Sequence, residues 1–150
     1  MKSTLFPLSI LACLLSSCAN NQQSAPLQLT GTWKLLSGTT VEKGKSTVTD
    51  YTKDQEMIKI INDTHFAFVK HSLVVGPDGK NAFDAGGGRY QLSGDQYTEY
   101  LDYFSDKNWE GKTFTFKVSI QQDTLIQTGI EKVEAAGIDR TITEKYLRVK

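Results

Sequence analysis

Cysteine is almost absent from this chain of 150 residues, and both copies, Cys13 and Cys18, lie near its start. The remainder of the chain therefore has no disulfide, no thiolate nucleophile and no thiolate metal ligand. Proline is also rare, since Pro77 is the only one after Pro26. A domain built from this sequence must gain its stability from burial and hydrogen bonding alone.

Net charge is absent as well, because 17 Lys and Arg residues balance 17 Asp and Glu residues. Binding to nucleic acid depends on clustered Lys and Arg side chains that displace counterions from the phosphates. The balanced composition therefore argues against a nucleic-acid partner.

The first 17 residues have the features of an export signal. Lys2 provides a positive start, and residues 5–15 form an apolar stretch well short of the ~20 residues needed to span a bilayer. This stretch ends in Leu15-Ser16-Ser17-Cys18, which has the form of a lipobox: an aliphatic residue, two small residues and a cysteine that receives the diacylglycerol. An ordinary secretory signal with an incidental cysteine is the alternative.

These features predict three segments along the chain. Residues 1–17 are a lipoprotein signal peptide, residues 18–28 are a flexible tether lipidated at Cys18, and residues 29–150 are the folded domain. The tether is polar and uncharged up to Pro26 and has little to bury. We expect a bacterial cell-envelope protein that several acyl chains hold to a membrane. It should face the periplasm, because no acidic run follows Cys18.

Short runs of alternating apolar and polar residues are typical of antiparallel strands. They predict strands at 31–38, 56–62, 64–72, 87–93, 96–104, 112–120, 123–129 and 141–149, with a further one near 46–51. A single turn of helix at 54–61 is the one helical feature expected. Short turns such as Asn62-Asp63 favour sequential antiparallel pairing, which is a meander.

A meander of eight or more strands leaves two exposed edges unless the sheet closes on itself. A closed barrel of eight strands has an interior just wide enough for side chains or one small ligand. We therefore predict an all-β fold, an up-and-down antiparallel meander closed into a barrel of eight to ten strands. A sandwich of two sheets is the alternative.

The segment Leu29-Thr30-Gly31-Thr32-Trp33-Lys34-Leu35 resembles the first strand of the calycins, which include the lipocalins and the intracellular fatty-acid-binding proteins. The resemblance implies that Gly31 and Trp33 begin the first strand and that the indole closes the barrel floor. It also implies that Arg148, near the end of the last strand, packs across that ring. With the lipobox, the chain resembles a lipocalin-like bacterial lipoprotein of unassigned activity, and the resemblance spans residues 29–150.

The sequence departs from that family at two places. Fatty-acid-binding proteins carry an Arg-x-Tyr pair on their last strands that grips the ligand carboxylate, whereas this chain has Glu144-Lys145-Tyr146. The carboxylate clamp is therefore not carried over. The helical lid of the same family has no counterpart between Leu36 and Asp54.

Catalytic and metal chemistry find little support in the residues. His65 and His71 are the only histidines, and six positions along a strand would separate them by about 20 Å, too far to share one ion. No Gly-x-Ser-x-Gly elbow occurs. We predict no catalytic residue, no metal and no cofactor. Gly86-Gly87-Gly88 favours a bulge or bend in a strand over a phosphate cradle.

The most suggestive stretch for binding is the aromatic strand 95–104, where tyrosines and a carboxylate alternate with other residues. Hydroxyl and carboxylate groups among apolar walls are suited to orienting a ligand. The candidate interior ligand-binding residues are Tyr97, Glu99, Tyr103, Phe114 and Phe116. The alternative is that these side chains simply fill a core.

The resemblance implies that the protein binds a small hydrophobic or amphipathic molecule without transforming it, while a lipid anchor holds it to the membrane. The chief rival is an interaction module with a filled barrel. Its loops near 39–53, 73–86 and 104–111 would hold another envelope protein or inhibit an enzyme. A hydrolase is the third and weakest alternative.

Overall fold

The structure is a computed structural model that describes residues 27–150. The signal peptide, the lipidation site at Cys18 and most of the tether lie outside the described residues, and they stay predictions. Leu27 and Gln28, at the end of the predicted tether, contact the barrel: Leu27 packs against its core and the Gln28 carbonyl accepts a hydrogen bond from Arg148.

Antiparallel strands make up nearly all of the described chain. They are β1 (Gly31–Glu42), β2 (Lys45–Asp50), β3 (Gln55–Ile61), β4 (His65–Ser72), β5 (Phe83–Ser93), β6 (Gln96–Phe104), β7 (Thr113–Gln121), β8 (Thr124–Val133) and β9 (Ile138–Arg148), with a 3-10 turn at Glu134–Ala136. The helical turn predicted at 54–61 is wrong, because this segment is β3. Its alternation places Met57, Lys59 and Ile61 inside the barrel.

The sheet closes on itself. Its strands follow the order β2-β1-β3-β4-β5-β6-β7-β8-β9, and β1 also pairs with β9. One edge of β1 pairs with β3 over residues 31–34, and the other edge pairs with β9 from Trp33 to Val41. The eight strands other than β2 thus form a closed barrel. The predicted up-and-down antiparallel meander is confirmed, and the sandwich alternative is wrong.

The first strand runs further than the sequence pattern suggested and turns back into β2. Residues 37–42 of β1 pair with β2 along the same edge that β3 occupies lower down. Lys43 and Gly44 have φ angles of 48° and 76°, as a two-residue hairpin turn requires. The segment 39–53, expected to be a loop, is therefore largely a hairpin. Parts of the other two expected loops, 83–86 and residue 104, belong to β5 and β6.

The triple glycine marks a β-bulge between β5 and β6, as its composition predicted. Gly87 pairs with Tyr103 and Arg89 pairs with Tyr100, so that Gly88 lies opposite two residues of β6. Two residues opposite one is the defining feature of a bulge.

Close packing and an ion pair hold this bulge in place. A Cβ atom on Gly88 would lie 1.8 Å from the carbonyl oxygen of Tyr100, so only glycine fits. Across the bulge, Arg89 Nε and Nη2 donate to the two carboxylate oxygens of Asp102 at 2.8 and 2.9 Å. This guanidinium lowers the pKa of Asp102 to about 2.

The bulge reverses the alternation of β6 and overturns one predicted site residue. Tyr97, Glu99 and Leu101 point inward, but the extra residue then turns Tyr103 outward and Phe104 inward. Tyr103 is 71% exposed on the outer surface. The prediction that it lines the interior is wrong, because strict alternation carries no information about a bulge.

Candidate functional site

The barrel encloses a cavity of about 450 Å³ that reaches the surface beside Ser105 and Asp106, two exposed residues that follow β6. Its apolar wall consists of Met57, Phe68, Leu101, Phe104, Trp109, Phe114, Phe116 and Ile142. Its polar lining includes Lys59, Glu99, Gln127, Glu131, Arg140, Glu144 and Tyr146. The interior is therefore a mixed apolar and charged chamber.

A buried ion pair lies deep in this cavity. Lys59 of β3 and Glu99 of β6 are only 3% and 7% exposed, and Lys59 Nζ donates to Glu99 Oε1 at 2.7 Å. Lys59 Nζ also donates to Oε1 of Gln127, on β8, at 3.2 Å. Buried charges of this kind persist in proteins only when they are paired and hydrogen-bonded, as these are.

Aromatic rings surround the same ammonium group. Lys59 Nζ lies 5.3 Å from the ring centroid of Tyr146, 5.6 Å from that of Phe66 and 5.9 Å from that of Tyr97. Each distance is within the range of a cation–π interaction. The barrel interior thus stabilises a primary ammonium group by one carboxylate, one amide and three aromatic rings.

A second carboxyl group lines the cavity next to this cluster. The hydroxyl group of Tyr146 donates to Oε2 of Glu144 at 2.8 Å. Burial raises the pKa of Glu144, while the Lys59 charge and the Tyr146 hydrogen bond act in the opposite direction. Burial also raises the pKa of Tyr146 well above its usual value, so this hydroxyl group stays protonated and remains a donor.

A third polar group lies nearer the open end. Arg140 of β9 donates to Oε2 of Glu131, on β8, through Nε at 2.7 Å, and its Nη2 lies 2.6 Å from the same oxygen in an ion pair. The Arg140 guanidinium carbon lies 5.8 Å from the ring centroid of Trp109. Trp109, which follows β6, thereby forms part of the cavity wall.

Trp33 and Arg148 close the opposite end of the barrel. The Trp33 indole is fully buried, and its Nε1 donates to the carbonyl oxygen of Leu29 at 2.7 Å. The Arg148 guanidinium carbon lies 4.0 Å from the Trp33 ring centroid. Gly31 has φ of 139°, and a Cβ there would lie 2.6 Å from Arg148 Nη1. These three residues form the floor on which the cavity rests.

The other predicted site residues divide into two groups. Glu99, Phe114 and Phe116 line the cavity, whereas Tyr97 is buried without lining it. Within residues 27–150, the Tyr97 hydroxyl group is a buried side-chain polar group with no hydrogen-bond partner. Burial, and secondarily the Glu99 carboxylate, raises its pKa far above the usual value.

Sequence reasoning missed five of the polar residues that line the cavity: Lys59, Gln127, Glu131, Arg140 and Glu144. A signal for them exists in the alternation of the strands. Lys59 stands between Met57 and Ile61 in the inward phase of β3, and Gln127 follows Leu125 in that of β8. A charged or amide side chain in an apolar phase indicates a polar group that the fold buries.

Two further observations concern the described part of the chain. Residues 27–150 contain no group of three or more His, Cys, Asp or Glu residues arranged to hold a metal ion. Over the same range, no helix has the length and apolar character to cross a membrane.

An eight-stranded antiparallel barrel in up-and-down order, closed at one end over a buried tryptophan and open to a cavity at the other, is a lipocalin-like fold. No protein-family model matches this chain, and no curated protein matches it either. Among solved structures, it is similar to a lipocalin-like protein from Bacteroides uniformis, with a TM-score of 0.47 and 20% sequence identity. The match covers 81% of this chain and 98% of that one. The fold class rests on the strand order and closure of this chain itself.

Proposed function

We propose that this protein is a lipid-anchored lipoprotein of the bacterial cell envelope that holds a small amphipathic molecule in its barrel without transforming it. The observation that carries this proposal is the open cavity of about 450 Å³ with both apolar and charged walls. Cavities of this size that combine apolar surface with a few placed polar groups are typical of small-molecule sites.

The polar lining supports an amphipathic ligand over a wholly hydrophobic one. A wholly apolar molecule would exclude water from Oε1 of Glu144 and offer this oxygen no hydrogen bond, which costs free energy. A molecule with one polar end can satisfy that group while its remainder contacts Phe114, Trp109 and Ile142. The proposal is therefore for an amphipathic ligand, bound in the part of the cavity above the Lys59–Glu99 pair.

Extraction of the purified protein with organic solvent, followed by mass spectrometry, tests the binding function. The matched variant is Ile142→Trp, which places a larger, aromatic side chain in the cavity from a half-buried position on β9. We expect the wild type to yield a small molecule in about equimolar amount and the variant to yield little or none at a similar melting temperature. Membrane lipids that merely carry over will appear equally in both samples.

Equal recovery from both proteins would contradict the proposal and favour a second candidate, the interaction module. The observation that favours that candidate is a group of exposed apolar side chains, Leu73, Val74 and Val75 after β4 together with Phe83 at the start of β5. Exposed apolar groups close together are a feature of protein interaction sites.

The proposed membrane anchor has its own test at Cys18. We expect Cys18→Ala to move the protein from the membrane fraction to the soluble fraction, because the acyl chains supply the membrane affinity. Cys13→Ala is the matched control, since this residue lies in the leader that processing is predicted to remove. Mass spectrometry of the mature N-terminus reports the lipid directly. A mature N-terminus of the wild type that carries no acyl chain would rule out the anchor.

A further inference from the structure

The charged groups that line the cavity are not balanced. Its carboxylates outnumber its cations by five to three, and the residues concerned are Asp84, Glu99, Asp106, Glu131 and Glu144 against Lys59, Lys70 and Arg140. Every one of these cations already has a carboxylate partner: Glu99 at 2.7 Å, Asp84 at 3.2 Å and Glu131 at 2.6 Å, respectively. When all of these groups are ionised, the cavity has a surplus of negative charge and no cation left for an anionic ligand.

Glu144 is the interior member of this surplus. Among residues 27–150, no Lys, Arg or His nitrogen lies within 4.0 Å of its carboxylate. Its Oε2 accepts the hydrogen bond of Tyr146, while Oε1 accepts none from the described residues. The other surplus carboxylate, Asp106, is exposed at the cavity entrance and accepts a backbone hydrogen bond from Asn108 at 2.9 Å.

The barrel already contains an example of the group that would complement Glu144. Lys59 carries a primary ammonium group into the interior, where Glu99 pairs with it and three aromatic rings surround it. Further aromatic rings line the same cavity as Glu144. Trp109 lies 5.8 Å from Phe114 and 6.2 Å from Phe104, measured between ring centroids.

We propose that the cavity takes a small molecule with a protonated primary amine and an aromatic or aliphatic body, and that Glu144 pairs with the amine. A carboxylate ligand is disfavoured, because it would approach Glu144, Glu131 and Glu99 with each cation already engaged. This inference rests on the proposed function, since it names the ligand chemistry of the same cavity.

Three probes with one naphthalene body and different end groups test the inference: 2-(1-naphthyl)ethylamine, 2-(1-naphthyl)ethanol and 1-naphthaleneacetate. Isothermal titration calorimetry is carried out on the mature lipidated protein in phosphatidylcholine nanodiscs, with empty nanodiscs as the blank. We expect the amine to bind at least about tenfold more tightly than the alcohol. This ratio corresponds to the free energy that a hydrogen bond between charged groups contributes. The carboxylate should bind more weakly than either.

Glu144→Gln keeps the size of the side chain and removes its charge. It should weaken binding of the amine by about tenfold or more and leave binding of the alcohol nearly unchanged. Asp106→Asn is the matched control, because it removes one negative charge at the cavity entrance, where salt screens the electrostatic field. This variant should weaken amine binding far less than Glu144→Gln does. Unchanged binding of the alcohol and an unchanged melting temperature, measured on the same samples, show that Glu144→Gln is folded.

Several results would overturn the inference. The first is that the wild type binds the alcohol or the carboxylate as tightly as the amine. The second is that the wild type binds none of the three probes. An equal loss of amine binding in Glu144→Gln and Asp106→Asn would assign the preference to the overall field and remove Glu144 from it. The solvent extraction described above reports on the proposed function independently. A co-purifying molecule without a basic nitrogen would keep that function and reject the amine.

Discussion

Replacement of Lys59 by methionine is expected to lower the free energy of unfolding by about 3–5 kcal/mol, the cost of leaving a buried charge without its partner. Glu99 is 7% exposed, and its carboxylate would keep no cation within hydrogen-bond distance. Gln127, whose Oε1 accepts a bond from Lys59, would lose a donor in the same variant. Urea unfolding followed by circular dichroism measures the change.

The double variant Lys59→Met/Glu99→Leu separates the net contribution of the pair to stability from the penalty of leaving Glu99 buried without a partner. Replacing both members of a buried pair by apolar groups of similar size is often neutral or stabilising. We therefore expect the double variant to be at least as stable as Lys59→Met and close to the wild type. As a control, Lys107→Met breaks an exposed pair with Glu110 and should change stability little. A double variant as unstable as the single one would show that the pair itself stabilises the fold.

The second large effect is expected at the floor of the barrel. Trp33→Ala should lower the free energy of unfolding by about 3–5 kcal/mol, because a large, fully buried ring is removed and leaves a void. The same change removes the donor to the Leu29 carbonyl and the ring against which Arg148 packs. Chemical denaturation of the purified variant measures the loss.

Trp109→Ala is the matched comparison, since the chain has only two tryptophans and the second lies half-buried in the cavity wall. Its ring already borders open space, so its removal should cost well under half as much as that of Trp33. Comparable losses in the two variants would mean that Trp33 does not hold the floor as the geometry indicates.

The geometry of the cavity also explains the positions of two residues in the aromatic strand 95–104, which the sequence favoured as a binding stretch. Glu99 was proposed as a group that orients a ligand, and its carboxylate is instead engaged by Lys59. Tyr97 lies beneath the cavity and contacts the same ammonium group through its ring. In this arrangement the aromatic strand builds the base of the chamber, and Glu144 of β9 is the interior carboxyl group that has no cation partner among residues 27–150.

The order of residues along the chain predicted most of the strands and the closure of the sheet, although β1 and β5 extend further than predicted. Alternation is a local property, since each strand shows its buried phase within a few residues, as in Phe114, Phe116 and Val118 of β7. Short turns then fix antiparallel neighbours, and a meander with eight such strands has few other ways to cover its edges. The placement of Trp33 beside Arg148 was likewise expected, from the resemblance of the first strand to the calycins.

Tertiary structure alone decided the character of the interior. The bulge opposite Gly88 depends on register between two strands, and it sends Tyr103 outward although the local alternation points inward. Lys59 pairs with Glu99 and Gln127, which lie 40 and 68 positions further along the chain. Which polar side chains meet depends on strand stagger and on the curvature of the closed sheet, and no local pattern encodes either. Local alternation therefore predicted most of the strands, whereas the contacts between polar side chains of different strands depend on the closed barrel.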